Sequence, residues 1–95
     1  MLIPEARNKT KIIAEQILIG MVEPYDGAMK IWKQILDNLE ERIPDDLWVF
    51  KSNASAIEDC LWNAQNGGSN NDSLIMQCKN EIIESAKQLT SIGSV

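Results

Sequence analysis

A proline with a glycine–alanine pair close behind it sets the tightest limit on how this chain can fold. The run is Glu23-Pro24-Tyr25-Asp26-Gly27-Ala28-Met29-Lys30-Ile31-Trp32. Pro24 suits the first position of a helix, where its missing N–H costs nothing. Asp26 then falls in the first turn, where a carboxylate meets free backbone N–H groups and the positive helix end. Glu23 is left as the cap, although Asp, Asn, Ser or Thr cap better. Gly27 lies inside the helix and costs about 1 kcal/mol relative to alanine. Such a glycine predicts close approach, here by another backbone.

The periodicity elsewhere predicts an all-α chain, a compact bundle of four main helices plus a short extra helical turn. Residues 1–95 make a single helical domain, because a chain this size buries roughly 60–65% of its unfolded surface and supports one core. Helix one runs from Pro4 or Glu5 to near Gly20, with Ala6, Thr10, Ile13, Ile17 and Gly20 on one face and Ile12 and Ile19 beside it. Helix two runs from Pro24 to about Leu39, with Ala28, Trp32, Ile35 and Leu39 inward. The short link makes the two neighbours, with Gly20 and Gly27 letting them approach. Asp45 to Lys51 reads as the short extra helix. Ser52 or Asn53 caps the third main helix, with Ile57, Cys60, Leu61 and Ala64 inward. Asn66 to Asn71 is a flexible loop. Asn71 or Asp72 caps the last helix, whose stripe is Ile75, Cys78, Ile82, Ala86 and Leu89. Three tryptophans are many for this length, and Trp32, Trp48 and Trp62 are expected at the heart of the core, with Trp32 at its centre.

Chemistry is limited by what is missing. There is no histidine, which removes the commonest general base, the usual metal ligand and every Ser–His or Cys–His pair. Cys60 and Cys78 occupy apolar helical positions and read as buried thiols. The carboxylate pairs Glu40-Glu41, Asp45-Asp46 and Glu58-Asp59 are adjacent in sequence, so on a helix they do not face one another. The glycine-rich loop lacks the lysine and preceding strand of a phosphate-binding loop. The expectation is no enzyme, no catalytic residue, no cofactor and no metal. No secretory signal and no run of 18 apolar residues is present, so a cytoplasmic location and no membrane contact are expected.

The formal charge is −5 and the pI about 4.6. That argues against nucleic acid and anionic membranes and favours a basic protein partner. Five acids, Asp37, Glu40, Glu41, Asp45 and Asp46, fall within ten residues with one base, Arg42. They are the candidate partner-binding residues. Arg7, Lys9 and Lys11 form a smaller basic patch that reads as a solvated face.

The run over residues 23–32, acid-Pro-x-acid-Gly-Ala followed by Ile-Trp, resembles a pattern in small bacterial helical proteins of the toxin-immunity kind, found in contact-dependent inhibition and polymorphic-toxin systems. The resemblance implies a bacterial origin, a helical fold and a protein that neutralises a toxin domain by binding it. The alternative from another class is a helical adaptor acting as a homodimer or assembly subunit, using an apolar surface left by the wide stripe of helix two.

Overall fold

The computed structural model describes residues 1–68 and 71–91, and every regular element among them is helical. Helix α1 spans Ile3–Leu18, α2 Pro24–Lys30, α3 Asp45–Gln65 and α4 Asp72–Ser91. A π-helical turn, Ile31–Ile35, and a 3-10 turn, Leu36–Asn38, continue α2.

The caps explain where the helices begin and end. Glu23 caps α2 as expected: its Oε2 accepts from the N–H groups of Tyr25 at 2.9 Å and Asp26 at 3.2 Å. Its other oxygen lies 2.9 Å from Lys79 Nζ on α4. A shorter aspartate has less reach for both tasks, which gives a reason for this uncommon cap. Past α1, Ile19 is the cap residue and Gly20 follows at φ +83°. The Met21 N–H bonds Gln16 O at 2.9 Å and the Gly20 N–H bonds Ile17 O at 3.2 Å, which is the Schellman pattern. Asn71 sits at the cap of α4, its carbonyl accepting from the Ile75 N–H at 3.0 Å.

The two glycines serve different purposes. An added Cβ at Gly20 meets nothing within 4 Å, so the glycine there answers a backbone angle and not close packing. Gly20→Ala is therefore expected to cost about 1 kcal/mol, the penalty of a side chain in left-handed backbone; urea denaturation checks it. At Gly27 an added Cβ falls 2.6 Å from Ile17 Cδ1 and 2.7 Å from Ile17 Cγ1. The close approach is real, but a side chain of α1 makes it, not a backbone.

The buried residues form one cluster, with Phe50, Ile31, Leu47, Ile57 and Ile82 fully enclosed. α4 supplies Cys78, Ile82, Ala86 and Leu89, as its stripe predicts, with Ile75 partly buried. Its pairings with α3 and α1 are the most extensive between helices. In α1, Ala6, Thr10, Ala14 and Ile17 are inward; the Thr10 hydroxyl donates to Ala6 O at 2.8 Å and so is satisfied in the core. Cys60 and Cys78 are buried free thiols. Burial pushes the Cys78 thiol up, with smaller contributions from Glu81 and from Cys60.

Three expectations are corrected. First, no helix boundary falls at Ser52: the extra turn is the start of α3, which runs unbroken from Asp45 to Gln65. Leu47, Phe50, Ala54 and Ile57 are all buried, at spacings of three and four residues that cross the supposed boundary without a break. Second, the tryptophans are not the core. Trp48 is 47% and Trp62 62% exposed, and Trp32 is only partly buried. The core is aliphatic around Phe50. Third, α3 outruns the bundle: Leu61 and Ala64 are exposed, as is every described residue from 61 to 68.

The π-helical turn accounts for Trp32. Its extra residue per turn stacks Leu36 over Ile31, the Leu36 N–H reaching back to Ile31 O as well as Trp32 O. Ile31, Ile35 and Leu36 become the buried set. Trp32 and Leu39, inward in a regular helix, move to the edge, where both are only partly buried.

Candidate protein-binding face

The acidic corner is a connection between helices, not one helix end. Asp37 lies in the 3-10 turn, Glu40 and Glu41 in the 39–44 linker, and Asp45 and Asp46 in the first turn of α3. All five are exposed. No side chain caps α3, whose cap residue is Pro44. Asp45 and Asp46 therefore supply the negative charge that its free N–H groups favour.

The five acids are not equivalent. Asp46 is held by Arg7 of α1 in a two-pronged pair, Nε to Oδ2 and Nη2 to Oδ1, each 3.0 Å. That hydrogen bonding pushes the Arg7 guanidinium further up from its already high range. Arg7 is thus a tie between α1 and α3, not part of a free basic patch. Glu40 is joined to the chain start: its N–H donates to Met1 O at 3.3 Å and its carboxylate lies 3.8 Å from the Met1 nitrogen. Asp37, Glu41 and Asp45 have no ion-pair partner among the described residues.

Beside these acids stands an aromatic surface that the sequence reading placed in the core. Trp48, Arg42, Ile43 and Asp45 line a hollow of about 250 Å³. Lys51 Nζ lies 5.2 Å from the Trp48 ring centre and 5.8 Å from that of Trp32. Lys33 Nζ, from the next residue in sequence, sits 3.8 Å from the Trp32 ring centre. Two tryptophans, an arginine and one unpaired acid, Asp45, are therefore contiguous. The π-helical turn is what brings Trp32 to this edge, and such insertions recur at functional sites.

Comparison with known protein families, curated proteins and solved structures finds no significant match. The reading of this face therefore rests on its geometry and composition.

No group of three or more His, Cys, Asp or Glu side chains among the described residues is arranged to hold a metal ion. No helix among them is long and apolar enough to cross a membrane. Near the start of α2, burial pushes the Tyr25 hydroxyl up, and the carboxylates of Glu58, Asp26 and Glu23 push it further. One signal could have exposed the tryptophans in the sequence. Trp48 and Trp62 are fourteen residues apart, roughly four turns, and so share a face opposite the buried stripe once α3 is read as one helix.

Proposed function

We propose that this chain is a small acidic binding protein without catalytic activity, and that its partner is a basic protein. In its specific form the partner is a bacterial toxin domain, which the chain neutralises by covering it. The observation that carries the reading is the joined surface of Trp32, Trp48, Arg42 and Asp45, on the same inter-helix connection as the exposed Asp37 and Glu41. Tryptophan and arginine are the residues most enriched where binding energy concentrates. Acids around them speed encounter with a cationic partner and reject anionic ones. The absence of histidine from the sequence supports a binding role over catalysis.

The test is co-expression with a toxin domain encoded beside this chain. Parent protein should restore growth and co-purify with the toxin, and Trp48→Ala should lose both while keeping its helical signal and melting temperature. Full protection by Trp48→Ala would remove the aromatic face from the account.

A second reading has its own observation. Where α3 outruns the bundle, Leu61, Trp62 and Leu74 are all exposed, an apolar end suited to self-association. Sedimentation separates the readings. A concentration-dependent dimer abolished by Trp62→Glu, together with no binding to a basic protein, favours the adaptor.

A further inference from the structure

A groove of about 750 Å³ runs along α4 on the side where Val49 of α3 meets it. It is open along its length rather than enclosed. Its lining residues recur on α4 from Asp72 to Ser85, a span of roughly 20 Å at the rise of a helix. Its apolar lining comes from Val49, partly buried, and Met76, 60% exposed. A second hollow, about 340 Å³, shares Val49 and Ser85 with the first and continues it to Leu89. The charged side chains of the rim are all acidic, set among the neutral Ser73, Gln77, Asn80, Ser85 and Gln88. Asp72, Glu81 and Glu84 line the first part, Asp45 and Asp46 the second, and no lysine or arginine lines either. Glu84 is drawn toward Lys87 at 3.4 Å and Asp46 is held by Arg7. Glu81 and Asp45 have no ion-pair partner among the described residues.

We infer that this α3–α4 groove docks a cationic amphipathic helix of a partner protein. An open trough with an apolar lining, about as long as three to four helical turns, matches the mode in which a helix lays its apolar face into a groove. The acidic rim selects the sign of the flanking residues, so lysines or arginines beside that apolar face meet carboxylates on entry. An anionic bilayer is repelled by the same rim. A second copy of this chain carries a net charge of −5 and is repelled as well. The groove meets the tryptophan face at Asp45 but does not use Trp32 or Trp48. It rests on the proposed function only in taking a basic protein as partner.

The probe is a synthetic 15-residue helix of leucine and lysine with its leucines on one face. Two controls accompany it: the same composition scrambled to disperse the leucines, and the amphipathic peptide with glutamate for lysine. Amide chemical shifts of the labelled protein locate binding, and titration gives affinity. The amphipathic lysine peptide should shift Val49 and the Asp72–Ser85 face of α4 and bind at least tenfold tighter than the scrambled form. The glutamate peptide should not bind. Glu81→Lys with Glu84→Lys should weaken binding at least tenfold while leaving the urea midpoint unchanged, because both side chains are exposed. If that double variant loses stability, Met76→Gln gives the same test through the apolar lining, with weaker binding expected. Trp48→Ala should bind the peptide as the parent does, so failure of the tryptophan face and failure of the groove are read separately. Equal binding of the scrambled peptide, shifts confined to the Trp32 and Trp48 surface, or parental affinity in the groove variants would overturn the inference.

Discussion

Replacing Phe50 by alanine is expected to cost about 3–5 kcal/mol, the range for deleting a large aromatic from a core that cannot collapse around the gap. Phe50 is fully buried, and Leu47, Ile57 and Ile82 of the same cluster are fully buried too. Total stabilities of small domains run from about 5 to 15 kcal/mol, so this one change removes a large share. The paired expectation is that Trp48→Ala costs less than about 1 kcal/mol, since substitutions at exposed positions have small effects. Urea denaturation of both variants measures the contrast. A loss at Trp48 equal to that at Phe50 would return the tryptophan to the core and dissolve the binding face.

Gly27→Leu is expected to cost about 3 kcal/mol, at the upper end for overpacking. Two opposing effects meet here. Leucine is the better helix former by close to 1 kcal/mol, which alone would raise the melting temperature. Against it, even the first added carbon falls 2.6 Å from Ile17 Cδ1 and 3.3 Å from Val22 Cγ1. Ile17 is itself buried and can yield room for one carbon but not four, so the remaining leucine carbons must separate α2 from α1. Gly27→Ala is the milder member of the series, because a modest shift of Ile17 relieves a single carbon. Melting temperatures should fall in the order glycine, alanine, leucine. An increase on going to leucine would mean that α1 and α2 do not pack here.

What could be read from the sequence was local. Glu23, Pro24 and Asp26 act within one turn of one another, so the start of α2 follows from their chemistry alone. Gly20 announces the end of α1 because left-handed backbone favours glycine. The stripe of α4 repeats over a long run and carries its own register. The errors have a different origin. The π-helical turn at Ile31–Ile35 has no residue signature of its own, and that single insertion decides whether Trp32 or Leu36 faces the core. Ser52 and Asn53 have cap chemistry, yet they lie where Leu47, Phe50, Ala54 and Ile57 continue one stripe, and packing overrides the local preference. Asn53 instead donates from Nδ2 to Val49 O at 2.9 Å within the helix. Arg7 and Asp46 are 39 residues apart, and no spacing rule joins them.

The acidic corner was visible as composition, and its exposure follows. Its division into held and unheld carboxylates was not visible. Tertiary structure makes Asp46 part of the fold and leaves Asp37, Glu41 and Asp45 exposed and without an ion-pair partner among the described residues. The tryptophans beside them were hidden by the usual expectation that large apolar side chains are interior. At this edge, a lysine between two rings and an arginine in the adjoining hollow make an amphipathic surface instead.

The most direct test of the proposed binding face is the rate of association with the proposed basic protein partner, followed by stopped flow at low and at physiological salt. The variants are the parent and a triple neutralisation, Asp37→Asn, Glu41→Gln and Asp45→Asn. These acids are exposed and unpaired, so folding should be unchanged within about 0.5 kcal/mol. The account predicts about tenfold slower association at low salt for the triple variant, and a remaining rate that responds much less to added salt. An association rate and salt dependence equal to the parent's would contradict it, and would reduce the corner to surface that keeps the protein in solution.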